Sequence, residues 1–269
     1  MMKKSYLLLV FMALLLMVAC TPESSDKKVR IGVSFYPMPD IVDLLVDDMA
    51  DEGYELVKVE FLNYAEANPA LKADELDGNL IQHQFYMDVF NSAQNANLVI
   101  AQPVYHSIFT LFSGTYEDLD DIPNGETVII PSDGVNTSRA LMLLESAGLI
   151  TLAEGKTTNA TVDDVETNPK NLVFVQASLT ASAGLYDEGG RKLAIMYPTY
   201  ARSLDLEGDA ERLYTEVLND ITEQYAISFA TRADNLNDPG IQLFIELLTS
   251  DEVRNFLETN YGWAAVPAF

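Results

Sequence analysis

The chain has 269 residues, with 41 acidic side chains against 16 basic ones and a formal net charge of −25. Each phosphate contact needs positive charge that such a surface lacks, so nucleic acid and anionic headgroups are excluded as partners for the body of the protein. One cysteine allows no internal disulfide, and two histidines without helpful spacing give no metal site and no cofactor site.

The chain opens on "MMKKSYLLLVFMALLLMVAC". Lys3 and Lys4 precede an uncharged run from Ser5 to Ala19 that is short for a membrane span, which is the pattern of a signal peptide over 1–19. The run ends on Cys20, and "MVAC" resembles the lipobox of bacterial lipoproteins, with Met17 where leucine is commoner. The resemblance implies cleavage before Cys20 and acyl chains such as palmitate on it, which supply the membrane attachment. "TPESSDKK" then has nothing large and apolar to bury, so residues 20–28 read as a lipidated flexible tether.

From Val29 short apolar runs alternate with amphipathic stretches. "VRIGVSF" predicts a strand, "MPDIVDLLVDDMADEG" one helix ended by Gly53, and "YELVKVEFL" a second strand, the start of an α/β fold with parallel strands. "YAEANPALKADELD" and "FYMDVFNSAQN" predict helices, and residues 97–105 a strand. A second series runs through "HSIFTLFS", "ETVIIP", "NLVFVQAS", "LTASAGLYDEG" and "KLAIMY". The chain returns through "YAISFATR" to two terminal helices, and 151–170 is the longest polar interval. Two successive α/β units predict two lobes with a ligand cleft between them. Lobe I is expected over 29–106 plus 229–269 and lobe II over 107–228.

"PSDGVNTSRALMLLESAGLI", 131–150, places Asn136 or Thr137 as the expected helix cap and Arg139 in the first turn, where the helix dipole disfavours a cation. A bound carboxylate beside Arg139 explains that placement, and pairing with one of the many Asp or Glu side chains is the alternative. His83 by itself reads as a structural histidine beside a helix start near Gln84, and Phe35 and Tyr36 read as pocket wall or core.

Several separated motifs recur in a fixed order: Phe61, Tyr64 and Asn68; "ELD", "QH" and Tyr86; the 131–150 stretch; "NPKNL" at 168–172; and "VPAF" at the end. Together they resemble the methionine-binding lipoproteins of ABC importers, the MetQ or NlpA family, along nearly the whole chain from Val29. The resemblance implies a two-lobed, periplasmic-binding-protein-like fold that closes on an amino acid and delivers it to an ABC permease and its ATPase. It implies a monomer on the extracytoplasmic side of a bacterial membrane and no covalent chemistry. In the family the residue matching Arg139 pairs with the ligand carboxylate, the one matching Asn136 bonds beside it, and those matching Tyr64, His83 and Tyr86 line the side-chain pocket. The sequence departs from the pattern at Ile81, where phenylalanine is usual, and at Tyr197 and Ile227, where asparagines are usual. Tyr197 could replace one polar contact through its hydroxyl. Methionine, a different carboxylate-bearing ligand, and a surface lipoprotein acting in adhesion therefore stay open as readings.

Overall fold

The computed structural model describes residues 27–269, so the signal segment, Cys20 and nearly all of the tether lie outside the described residues. The first sheet is built from β1 (Lys28–Val33), β2 (Glu55–Glu60), β3 (Gly78–Gln82) and β4 (Leu98–Ser107), with two strands from the far end of the chain. Between them run helices α1 (Met38–Leu44), α2 (Val46–Asp51), α3 (Ala67–Lys72) and α4 (Gln84–Gln94). The second sheet takes β5 (Thr110–Phe112), β6 (Thr127–Pro131), helix α5 (Gly134–Ser146) behind β6, then β9 (Val173–Ala177), helix α6 (Leu179–Glu188), β10 (Ala194–Met196), helix α7 (Pro198–Ala201) and β11 (Arg212–Thr215). The chain then returns as β12 (Ile227–Arg232), α8 (Pro239–Leu248), α9 (Asp251–Tyr261) and β13 (Ala265–Pro267).

Sheet one has the order β13-β4-β12-β3-β1-β2 and sheet two β11-β5-β10-β6-β9. Both are mixed. β1 runs parallel to β2 and β3, but β12 pairs antiparallel with β3 and β4, and β5 pairs antiparallel with β10 and β11. The expectation of parallel strands holds for β1, β2 and β3 in the first sheet and for β6, β9 and β10 in the second. The strands that carry the chain between lobes enter without a crossover helix, which leaves them antiparallel. β12 lies so close to β3 that a Cβ on Gly78 would sit 2.2 Å from the Phe229 ring, which explains a glycine there.

Three expected elements differ. The single helix over 38–53 is broken at Leu45, whose backbone (φ −94°, ψ 2°) leaves the helical region while its side chain is buried in the core. The helix expected over "YAEANPALKADELD" is a 3-10 turn, Tyr64–Glu66, followed by α3, and it ends where Asp74 takes φ +63° and Leu76 turns inward. The polar interval 151–170 contains a small hairpin of β7 (Thr151–Leu152) and β8 (Val165–Thr167), anchored by the buried Leu152 side chain.

Each sheet has its own core. Ile31, Val33, Leu80 and Phe229 pack with Ile241, Phe244, Val253 and Leu257 of the terminal helices, while Val128, Ile130 and Ile195 pack with Leu141, Leu144 and Leu179. Burial of a Leu, Ile or Phe side chain contributes about 1.5–3 kcal/mol, so each lobe has an independent apolar source of stability. The carboxyl ends of β1, β3, β6 and β10 meet at the seam between the lobes, the position where open α/β sheets hold ligands.

Candidate ligand cleft

A cavity of about 10 Å³, room for roughly one water, lies at the seam and is lined by side chains that follow those strand ends. Phe35 comes after β1; Ile81, Gln82, His83 and Tyr86 come from β3 and the start of α4; Tyr64 comes from the 3-10 turn. Facing them are Asn136 of α5, Leu179 of α6 and Tyr197 after β10, while Ile227 of β12 lines the cavity from the first sheet. Five of the sequence-predicted site residues, Tyr64, His83, Tyr86, Asn136 and Tyr197, are thus brought to one place, as are the departures Ile81 and Ile227.

Local chemistry fixes each wall. His83 is the N-cap of α4: its Nδ1 accepts from the Tyr86 amide at 3.3 Å, which leaves the proton on Nε2. Burial, helped by the nearby Arg139 charge, presses the His83 pKa down to about 3, so the ring is neutral. Tyr64 and Tyr86 meet edge to face at 5.5 Å, and Phe35 stacks on Tyr197 at 6.0 Å across the seam. Burial pushes the Tyr86 and Tyr197 hydroxyls up to about 12, so both remain protonated donors. Behind Gln82 a buried amide triad closes on itself: Gln82 and Asn79 donate to Asn68 Oδ1 at 2.7 and 2.9 Å, and Asn68 donates back to Gln82 Oε1 at 2.6 Å.

The helix cap is neither Asn136 nor Thr137 but Asp133, which accepts from the Asn136 amide at 3.0 Å. Asp133 is a strong capping residue three positions upstream, so α5 starts earlier than expected and Arg139 falls in its second turn rather than its first. The Arg139 side chain is 1% exposed and is absent from the cavity wall. Its Nε donates to Glu216 Oε1 at 2.9 Å, and its Nη2 donates to Glu216 Oε2 at 2.5 Å and to the Ser107 carbonyl at 3.0 Å. The guanidinium carbon lies 4.5 Å from the Tyr225 ring centre and 4.7 Å from that of Phe109. Burial alone would lower the Arg139 pKa, but the Glu216 carboxylate outweighs it and holds the group charged.

Ser107, Glu216 and Tyr225 all border the two segments that cross between the sheets, and the Glu216 amide donates to the Phe109 carbonyl at 2.9 Å. Arg139 therefore pins both crossings. From it a line of hydrogen bonds reaches the opposite lobe: Arg139 Nη1 to the Tyr197 oxygen at 3.2 Å, the Tyr197 hydroxyl to Asn136 Oδ1 at 3.2 Å, Asn136 Nδ2 to Asp133 at 3.0 Å, and the Tyr64 hydroxyl to Asp133 Oδ2 at 2.9 Å.

Sequence reasoning missed Glu216 and Asp133. Glu216 is one acid among 41 and nothing local distinguishes "TEVLND". Asp133 had a usable signal, an Asp directly before a glycine and three residues before Asn136 at a strand-to-helix junction. Among the described residues no cluster of His, Cys, Asp and Glu could hold a metal ion, and no helix is long and apolar enough to cross a membrane.

The family profile described as NlpA lipoprotein matches residues 29–269. The chain belongs to the NlpA lipoprotein family. It is similar to the membrane lipoprotein TpN32 of Treponema pallidum, 31% identical over 93% of this chain and 92% of the relative. The methionine-binding lipoprotein MetQ of Bacillus subtilis is 30% identical over 99% of both chains. A nutrient binding protein from Burkholderia cenocepacia, solved bound to methionine, superposes with TM-score 0.81 at 29% identity, covering 90% of this chain and all of that one. The two-lobed architecture and the lipoprotein character are thus those of the NlpA family, and solute binding is the role that membership supports.

Proposed function

We propose that this chain is the lipid-anchored, extracytoplasmic solute-binding component of an ABC importer and that it captures methionine or a related amino acid. The lobes that close on the ligand are those expected over 29–106 plus 229–269 and 107–228, except that Ser107, Ile227 and Ser228 belong to strands of the first sheet, and Cys20 carries the anchor. The observation that carries the reading is the convergence of Tyr64, His83 and Tyr86 from one lobe with Asn136 and Tyr197 from the other on one small cavity. Relatives named for methionine binding, and one solved with methionine bound, support an amino acid as the ligand class.

The rings and the neutral imidazole supply a soft apolar wall for a thioether chain. The head group falls to Asn136 and the Tyr197 hydroxyl, which Arg139 backs through Nη1, with the fully buried and unpartnered hydroxyl of Tyr225 in reserve nearby. A cavity of about 10 Å³ is far below the roughly 300–1,000 Å³ of small-molecule sites, so entry requires the lobes to part or the Phe35 and Tyr197 rings to swing aside. Capture then works as a population shift: a ligand touching both lobes favours the closed form by its differential affinity. The test is calorimetric titration of L-methionine into the protein after unfolding and refolding to strip carried ligand. One-to-one binding with a raised melting temperature is expected, and a folded protein that gives neither heat nor stabilisation overturns the amino-acid reading.

A further inference from the structure

The charges around the cleft are already paired in a way that restricts what can enter. None of the cavity-lining side chains carries a charge, His83 being neutral. Behind the wall stand one guanidinium, Arg139, and one carboxylate, Glu216, in side-on contact, and a second carboxylate, Asp133, accepts from the lining side chains Tyr64 and Asn136. The local sum is one positive charge against two negative ones. An incoming carboxylate finds the Nε and Nη2 edge of Arg139 occupied by Glu216 and its Nη1 donating to the Tyr197 oxygen, which does line the cavity. The forked, two-bond grip of a guanidinium on a ligand carboxylate is therefore taken by the protein's own side chain.

We infer that Glu216 is the specificity-determining residue of the cleft: by compensating Arg139 it sets the site for a ligand of zero net charge and shuts out anions with the same side chain and carboxylate. The inference rests on the amino-acid reading above. A zwitterion brings an ammonium that offsets the surplus negative charge beside Asp133, so its carboxylate can lie against the Tyr197 hydroxyl that Arg139 holds. The same molecule without the ammonium adds a third negative charge to a desolvated region, where unpaired charge is expensive. Discrimination then comes from a repulsive element as much as from attractive contacts.

The experiment titrates L-methionine and 4-(methylthio)butanoate, which keeps the thioether chain and the carboxylate but lacks the ammonium, into the full-length protein in detergent and into Glu216→Gln. The wild type is expected to prefer the zwitterion by about 100-fold or more, and Glu216→Gln to shrink that ratio at least about tenfold by unmasking Arg139. A ratio that stays within about twofold of the wild type, in a variant with unchanged circular dichroism, overturns the inference. If neither compound binds either protein, the amino-acid reading fails by itself, and the charge argument is decided on Glu216→Ala with sodium formate. A saturable gain in refolding yield or melting temperature with formate, absent in the wild type, upholds a guanidinium that demands one internal carboxylate. No formate dependence overturns it.

Discussion

Each lobe buries one polar cluster against the cleft, and the two are of different kinds. In the first lobe Asn68, Asn79 and Gln82 form a neutral amide ring in which every member donates to another, held on α3 and β3 within a single sheet. In the second lobe Arg139 and Glu216 form an ion pair roofed by aromatic rings, with partners on both segments that join the sheets. A neutral ring fixes local shape whichever way the lobes sit. An ion pair at the crossings links the state of the cleft to the geometry of the hinge, and its removal is asymmetric, because either partner left alone is a buried charge. Rigidity is therefore concentrated on the first wall and coupling on the second.

The largest effect should come from breaking the ionic cluster on one side. Arg139→Met should lose about 3–5 kcal/mol in urea unfolding, whereas Arg139→Met with Glu216→Leu should recover most of it; equal losses in the two proteins would remove the asymmetry. The amide ring should be cheaper to open. Asn68→Ala strips partners from Asn79 and Gln82 and should cost about 1–3 kcal/mol, leaving methionine affinity less affected than stability.

Third comes pH. His83 is neutral in the folded protein down to about 3 and titrates near 6.5 when unfolded, so the unfolded state binds the extra proton and stability should fall as pH drops from about 6.5 toward 3. The slope from this residue approaches about 1.4 kcal/mol per pH unit, and His83→Gln should flatten the melting temperature between pH 6.5 and 4.5. His106, held below its usual value by burial, and Asp77, Glu126 and Asp164, held below theirs by hydrogen-bonding partners, contribute to the slope that remains. The smallest effect concerns the seam. Tyr64→Phe deletes the bond to Asp133 and should shift the lobes toward the open form by about 0.5–1.5 kcal/mol, read as a larger radius of gyration in solution scattering.

Most of the architecture is legible in the sequence because it rests on periodicity. β1, β2, β4, β6 and β9 announce themselves as apolar runs, and α4, α8 and α9 as amphipathic ones with Asn95, Asp238 or Ser250 at their ends. What is not legible is set by tertiary contact. β3 reads as "GNLIQ" inside a polar neighbourhood and becomes a strand only because β1 and β12 flank it. Of the site, Tyr64, His83, Tyr86 and Asn136 could be placed from motifs in a fixed order and Tyr197 as a departure from the pattern, and the cleft gathers them. The partner of Arg139 could not be placed, since Glu216 is separated from it by 77 positions and its neighbours carry no pattern.

The position of β12 inside the first sheet, between β4 and β3, has a consequence for synthesis. The five strands of the second sheet lie between Thr110 and Thr215, an uninterrupted stretch that can complete itself while the chain is still being made. The first sheet cannot, because its interior strand begins only at Ile227 and the helices that cover its core follow later still. On the ribosome, then, the lobe that begins the chain finishes last, and β3 and β4 must wait with their edges unpaired for a strand not yet translated.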